Sequence, residues 1–139
     1  MADTVAVQKL IDSNSRAVFK LNSESDGTGE ASVVKVDVST LLGAVGDGSD
    51  RVSIVHIMSD VHCKNKTGHV ILEWDGTPNR TILSLGDNKF DWDFQGKGFK
   101  LTNDALTPTG DIDLTTHDFK IGDAYTIIVE VRKETAFDA

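Results

Sequence analysis

The sequence predicts an all-β fold: an antiparallel, jelly-roll-like β-sandwich of about nine short strands, in a single domain over residues 1–139. Three observations predict it. Short stretches alternate apolar and polar residues with period two, which buries one face of a strand and leaves the other wet. Turn residues recur about every 8–12 positions, the spacing of sandwiches and jelly rolls. No stretch sustains a helical period, which excludes alternating α/β folds.

The clearest region is residues 68–94, GHVILEWDGTPNRTILSLGDNKFDWDF. It reads as three strands and two turns. Val70, Leu72 and Trp74 alternate with Ile71, Glu73 and Asp75, and Phe90, Trp92 and Phe94 alternate with Asp91, Asp93 and Gln95. Asp75-Gly76 with Pro78-Asn79 makes the first turn, and Gly86-Asp87-Asn88 the second. Both tryptophans fall on the apolar phase, so this meander is expected to carry much of the core.

The other elements follow in order. Residues 4–12 form a strand with Val5, Val7 and Ile11 on one face; Lys9 interrupts that face, as lysines do on sheet edges. Ser13-Asn14-Ser15 turns the chain into a second strand, 16–22, with Ala17, Phe19 and Leu21 together. Residues 23–30 are a polar, glycine-rich loop. Residues 32–38 are β-branched, with Val34, Val36 and Val38 on one face. Residues 39–44 allow one helical turn capped by Ser39, and 46–50 is a second polar loop. Residues 51–62 carry Val52, Ile54 and Met58 on one face and Val55, Ile57 and Val61 on the other. This suggests a central strand, or one whose outer face meets another subunit. After a turn at 95–98 come a short strand at 99–101, a loop at 103–110 and a strand at 111–115. The last strand alternates Tyr125, Ile127, Val129 and Val131 with Thr126, Ile128, Glu130 and Arg132. The polar tail from residue 133 is expected to fray.

Composition bounds the partners. Asp and Glu number 22 against 14 Lys and Arg, a formal charge of −8 with no basic cluster, which argues against a nucleic-acid partner. One cysteine, Cys63, excludes an internal disulfide. No apolar run has the length of a membrane span. The N-terminus shows no signal-peptide pattern, so folding in a host cytoplasm is expected. The sequons at Asn65 and Asn79 are then chance matches.

Three constellations bear on chemistry. His56, His62, Cys63 and His69 crowd into a short stretch, but His62 and Cys63 point to opposite strand faces, and His56 and His62 stand about 20 Å apart along a strand. Zinc needs its ligands around one ion, so no metal site is expected. Asp91 with Asp93, and Asp111 with Asp113, each share the wet face of a strand. Were those strands neighbours, four carboxylates could gather as a calcium site or a glycosidase pair; scattered surface aspartates are the simpler reading. Trp74 and Trp92 could form a sugar-stacking platform, but their phase favours the core. The cupin histidine motif, the Ser-His-Asp signature and the nucleotide-binding glycine patterns are all missing.

The second half, residues 70–133, resembles small virion proteins of tailed bacteriophages. The likeness lies in Ile71-Leu72-Glu73-Trp74-Asp75-Gly76, in Leu83-Ser84-Leu85-Gly86, in Gly110-Asp111-Ile112 and in the closing run from Ile121-Gly122-Asp123 through Tyr125 to Lys133. The resemblance implies a non-enzymatic structural protein of the virion, most readily a capsid decoration protein. Its partners would be the major capsid protein or other virion proteins and further copies of itself, with no cofactor and no catalytic or metal residues. A neck or tail component and a carbohydrate-binding or host-adhesion module are the alternatives.

Overall fold

In a computed structural model, which describes residues 4–25, 27, 29–45, 50–64, 67–105 and 108–134, the alternating stretches become nine strands. They are β1 (Thr4–Asp12), β2 (Arg16–Glu24), β3 (Val33–Val36), β4 (Val52–His62), β5 (His69–Trp74), β6 (Arg80–Gly86), β7 (Lys89–Asp93), β8 (Ile112–His117) and β9 (Ala124–Lys133). Most of the 46–50 loop, the Asn65 sequon and the tail beyond Glu134 lie outside the described residues.

The strands build one five-stranded sheet, β1-β2-β9-β4-β7, and one four-stranded sheet, β3-β8-β5-β6. Every pairing is antiparallel. The pairings are nested: β2 takes β9, β3 takes β8, β4 takes β7 and β5 takes β6. The chain thus behaves as one long antiparallel ribbon folded over itself into a two-sheet β-sandwich, as the alternation and spacing predicted.

The core lies between the sheets. Ala17, Phe19 and Leu21 of β2 stand opposite Val131, Val129 and Ile127 of β9. Val70, Leu72 and Trp74 of β5 meet them from the other sheet with Ile112 and Leu114 of β8, and all of these are buried in one cluster. The alternation holds on these strands because no residue is inserted in them; at each register shift the extra residue lies on the partner strand.

Elsewhere bulges overturn the reading. In β4 the register shifts between Ile54 and His56. One extra residue moves every later side chain to the opposite face. Val52 and Ile54 point inward before the bulge and Ile57 and Val61 after it, all in the core cluster. Met58 points out. The expectation of two apolar faces is thereby corrected: it is one inward face with a phase slip. Similar shifts occur between Lys9 and Ile11, which sets Ile11 opposite Val18, and between Val34 and Val36, which turns Lys35 inward.

Lys35 is buried in an ion pair with Glu30, and Glu30 Oε1 accepts a 2.6 Å bond from Tyr125 Oη. A buried ammonium is tolerable only with such partners. Lys133, expected to fray, is instead buried at the end of β9. Its Nζ donates to Asp12 Oδ1 at 2.6 Å, Ser13 O at 2.6 Å and Leu42 O at 2.7 Å. Burial alone would raise the Asp12 carboxyl, but the bonds from Lys133, the Leu42 N–H and Lys9 hold it below the usual range. The helical turn expected at 39–44 is a 3-10 turn over Val38–Thr40, capped by Asp37, whose carboxylate accepts from Ser39 N. Residues 99–101 form no strand; Leu101 makes a single bridge to Ile54.

Candidate functional site

The histidines and Cys63 do not converge. His56 Nε2 lies 2.5 Å from Asp91 Oδ1, and His62 Nε2 lies 3.0 Å from Asp60 Oδ1. His69 stacks on His117 of the neighbouring strand at 4.8 Å between ring centres. Cys63 opens onto a 290 Å³ groove with Asp87 and Asp123. Burial first, then those two carboxylates, push its thiol up to about 11, which disfavours the thiolate that a nucleophile needs. Among the described residues, no group of three His, Cys, Asp or Glu side chains is placed to hold a metal ion.

The four aspartates also separate, because β7 and β8 belong to different sheets. Asp91 is exposed on the outer face of the five-stranded sheet, and Asp93 accepts from Gly96 N at 2.9 Å. Asp113, expected on a wet face, is 2 % exposed. Its Oδ2 accepts from Asn79 Nδ2 at 3.1 Å, and its Oδ1 is buried without a hydrogen bond. Burial first and the neighbouring Asp75 next raise its carboxyl to about 7. Asp111 is also raised, by burial against the opposing Val38 N–H bond, with Asp37 and Asp75 adding to the rise. Asp75 in turn accepts from Thr109 Oγ1 at 2.7 Å. This end of the four-stranded sheet can hold a proton between carboxyls, but Asp113 is sealed from any substrate. Asp75 escaped notice in the sequence because only the pairing of β5 with β8 brings it near Asp113.

The tryptophans part company. Trp74 is 1 % exposed, as expected, whereas Trp92 is 39 % exposed. Trp92 stands directly opposite Ile57 on the inward face, but β7 is the outermost strand of the wider sheet. It belongs to a row of rings: Phe90 to Trp92 at 5.7 Å, Trp92 to Phe94 at 5.8 Å, and Phe94 to Phe99 at 5.5 Å. Phe99 is half exposed. A 470 Å³ groove is lined by Trp92, Phe94, Phe99, Asp91 and Lys97. Sequence reasoning missed Phe99 because its approach to Phe94 depends on the 3-10 turn Gln95–Lys97 folding the chain back.

The opposite side of the sandwich is open too. β1 and β3 are edge strands, one of each sheet. Lys9 Nζ lies 3.4 Å from Thr40 O and the Leu42 N–H donates to Asp12, so the segment after β3 is tied to β1 and the two edges share one side. Val7 stands opposite buried Leu21, and Val33 opposite buried Leu114, yet both are exposed. With Leu10, Ile11 and Val34, and with Leu42 and Val45 just beyond, this side holds seven of the eleven large apolar side chains exposed among the described residues. Searches against protein-family models, curated proteins and solved structures give no match to this chain.

Proposed function

We propose that this chain is a non-enzymatic, multi-copy structural component of a tailed-bacteriophage virion, a capsid decoration protein that works by binding surfaces. The resemblance over residues 70–133 supplies the class. The observation that carries the mode of action is the open β1/β3 side. Val7 and Val33 there continue the core phase outward, and among the described residues β1 is a nine-residue edge strand paired only with β2. Such an edge is a template for another chain unless it is covered. Its one cation, Lys9, is drawn onto Asp12 at 3.2 Å rather than standing guard in solvent. A further copy or the capsid surface fits this edge, and many weak contacts repeated over a lattice add through multivalency. The surplus of acid suits a particle exterior better than a DNA-lined channel.

The test is to remove the protein from particles and image them. Intact capsids that lose a surface density and resist heat less support decoration. Tail-less particles with unchanged capsids move the protein to the neck or tail. Reversing the edge with Val7→Lys and Val33→Lys should abolish particle binding while leaving the circular dichroism spectrum unchanged.

A further inference from the structure

We propose that the β7 edge carries a saccharide-binding platform, with Trp92 and Phe99 as its stacking surface and Asp91 and Lys97 as its polar rim, and that its ligand is a neutral hexopyranose. This does not rest on the virion reading. The platform lies on the edge strand opposite the β1/β3 side, so both can be occupied at once.

The argument begins with the rings. Phe90, Trp92 and Phe94 recur at every second residue and share a face, and Phe99 extends the row by folding back onto Phe94. Phe94 is buried and anchors the row, while Trp92 and Phe99 remain exposed on either side of it. An aromatic face carries negative charge density and attracts polarised C–H groups. A pyranose offers such C–H groups on one face and hydroxyls around its edge. The groove matches that division, since Trp92, Phe94 and Phe99 line it together with the charged Asp91 and Lys97. Asp91 is an acceptor for hydroxyls and Lys97 a donor. Lys97 forms no ion pair among the described residues, and Asp91 meets His56 through Oδ1.

A protein partner fits this groove less well. Interface cores are depleted of charge, and here Asp91 and Lys97 line the groove beside the rings. An anionic saccharide is disfavoured by Asp91 and by the overall charge of −8.

The experiment is a fluorescence titration of the whole chain with short neutral oligosaccharides of glucose, mannose, galactose and N-acetylglucosamine. Trp74→Phe, made in parallel, leaves Trp92 as the sole tryptophan reporter. The expected result is a saturable emission change with at least one of these sugars, at a Kd of roughly 1 mM or tighter. Phe99→Ala, on an exposed side chain, and Lys97→Ala should each weaken binding about tenfold or more, with the melting curve nearly unchanged. No saturable change with any sugar overturns the proposal. So does binding that Phe99→Ala leaves intact, or a Trp92 shielded from a soluble quencher by capsid protein or a second copy but by no sugar.

Discussion

Trp74 and Trp92 lie on strands of the same alternation, and both point toward the space between the sheets. Trp74 sits on β5, flanked by β8 and β6, and is covered. Trp92 sits on β7, which has β4 on one side and no strand on the other, and it faces a sheet one strand narrower than its own. The difference separates two properties that a pattern of apolar residues merges. Alternation tells which way a side chain points; the width of the opposing sheet decides whether anything lies there to meet it. Edge strands are where these properties diverge: Trp92 on β7, Val7 on β1 and Val33 on β3 point inward, yet all three are exposed among the described residues.

Replacing each tryptophan measures that divergence. Trp74→Ala should cost about 3–5 kcal/mol, through lost burial and an unfilled cavity. Trp92→Ala should cost about 1–2 kcal/mol, since much of its ring is already in water. Equal losses in urea denaturation would break the comparison. A covered region is also harsh on unpaired charge. Lys35→Ala should therefore destabilise by about 3–5 kcal/mol, by stranding buried Glu30, and Lys35→Met with Glu30→Gln should recover much of that loss.

The Asp113 region sharpens the contrast at smaller scale. Its carboxyl, raised by burial and then by Asp75 to about 7, binds a proton in the fold that the unfolded chain releases near pH 4. The stability linked to that proton is complete below about pH 4 and is lost as pH rises through about 7. The melting temperature should therefore fall between pH 5 and pH 8, and Asp113→Asn should flatten the profile and add on the order of 1–3 kcal/mol at pH 8. A profile unchanged by the substitution would show that the proton is held elsewhere. The smallest effect is expected on the open face, where Asp91→Asn should shift stability by less than about 0.5 kcal/mol.

These cases also show how much the sequence could tell. The strands with continuous alternation, β2 and β9, were legible down to single core residues, because period two is a local property. The bulges in β1, β3 and β4 were not. Nothing around Val55 or Lys35 marks an inserted residue, and the slip is visible only against a partner strand. The candidate sites were less legible still. The approach of Asp75 to Asp113 and that of Phe99 to Phe94 are products of pairing and of a reversed turn, not of spacing. The four aspartates looked alike in sequence and were parted by the assignment of β7 and β8 to different sheets.

The position of β9 sets an order of events. It is the last of the nine strands in the chain, yet it lies in the middle of the five-stranded sheet, bonded to β2 on one side and β4 on the other. Lys133 at its end then reaches back 121 residues to Asp12. During synthesis, β2 and β4 must wait with bare edges until this strand emerges, so the wide sheet closes only afterwards. Contacts so distant in sequence make folding slow. A ribosome-bound chain halted before residue 124 should hold no closed sandwich, and its waiting edges are open to strands from neighbouring chains. The interval before β9 arrives is the period of greatest exposure to misassembly.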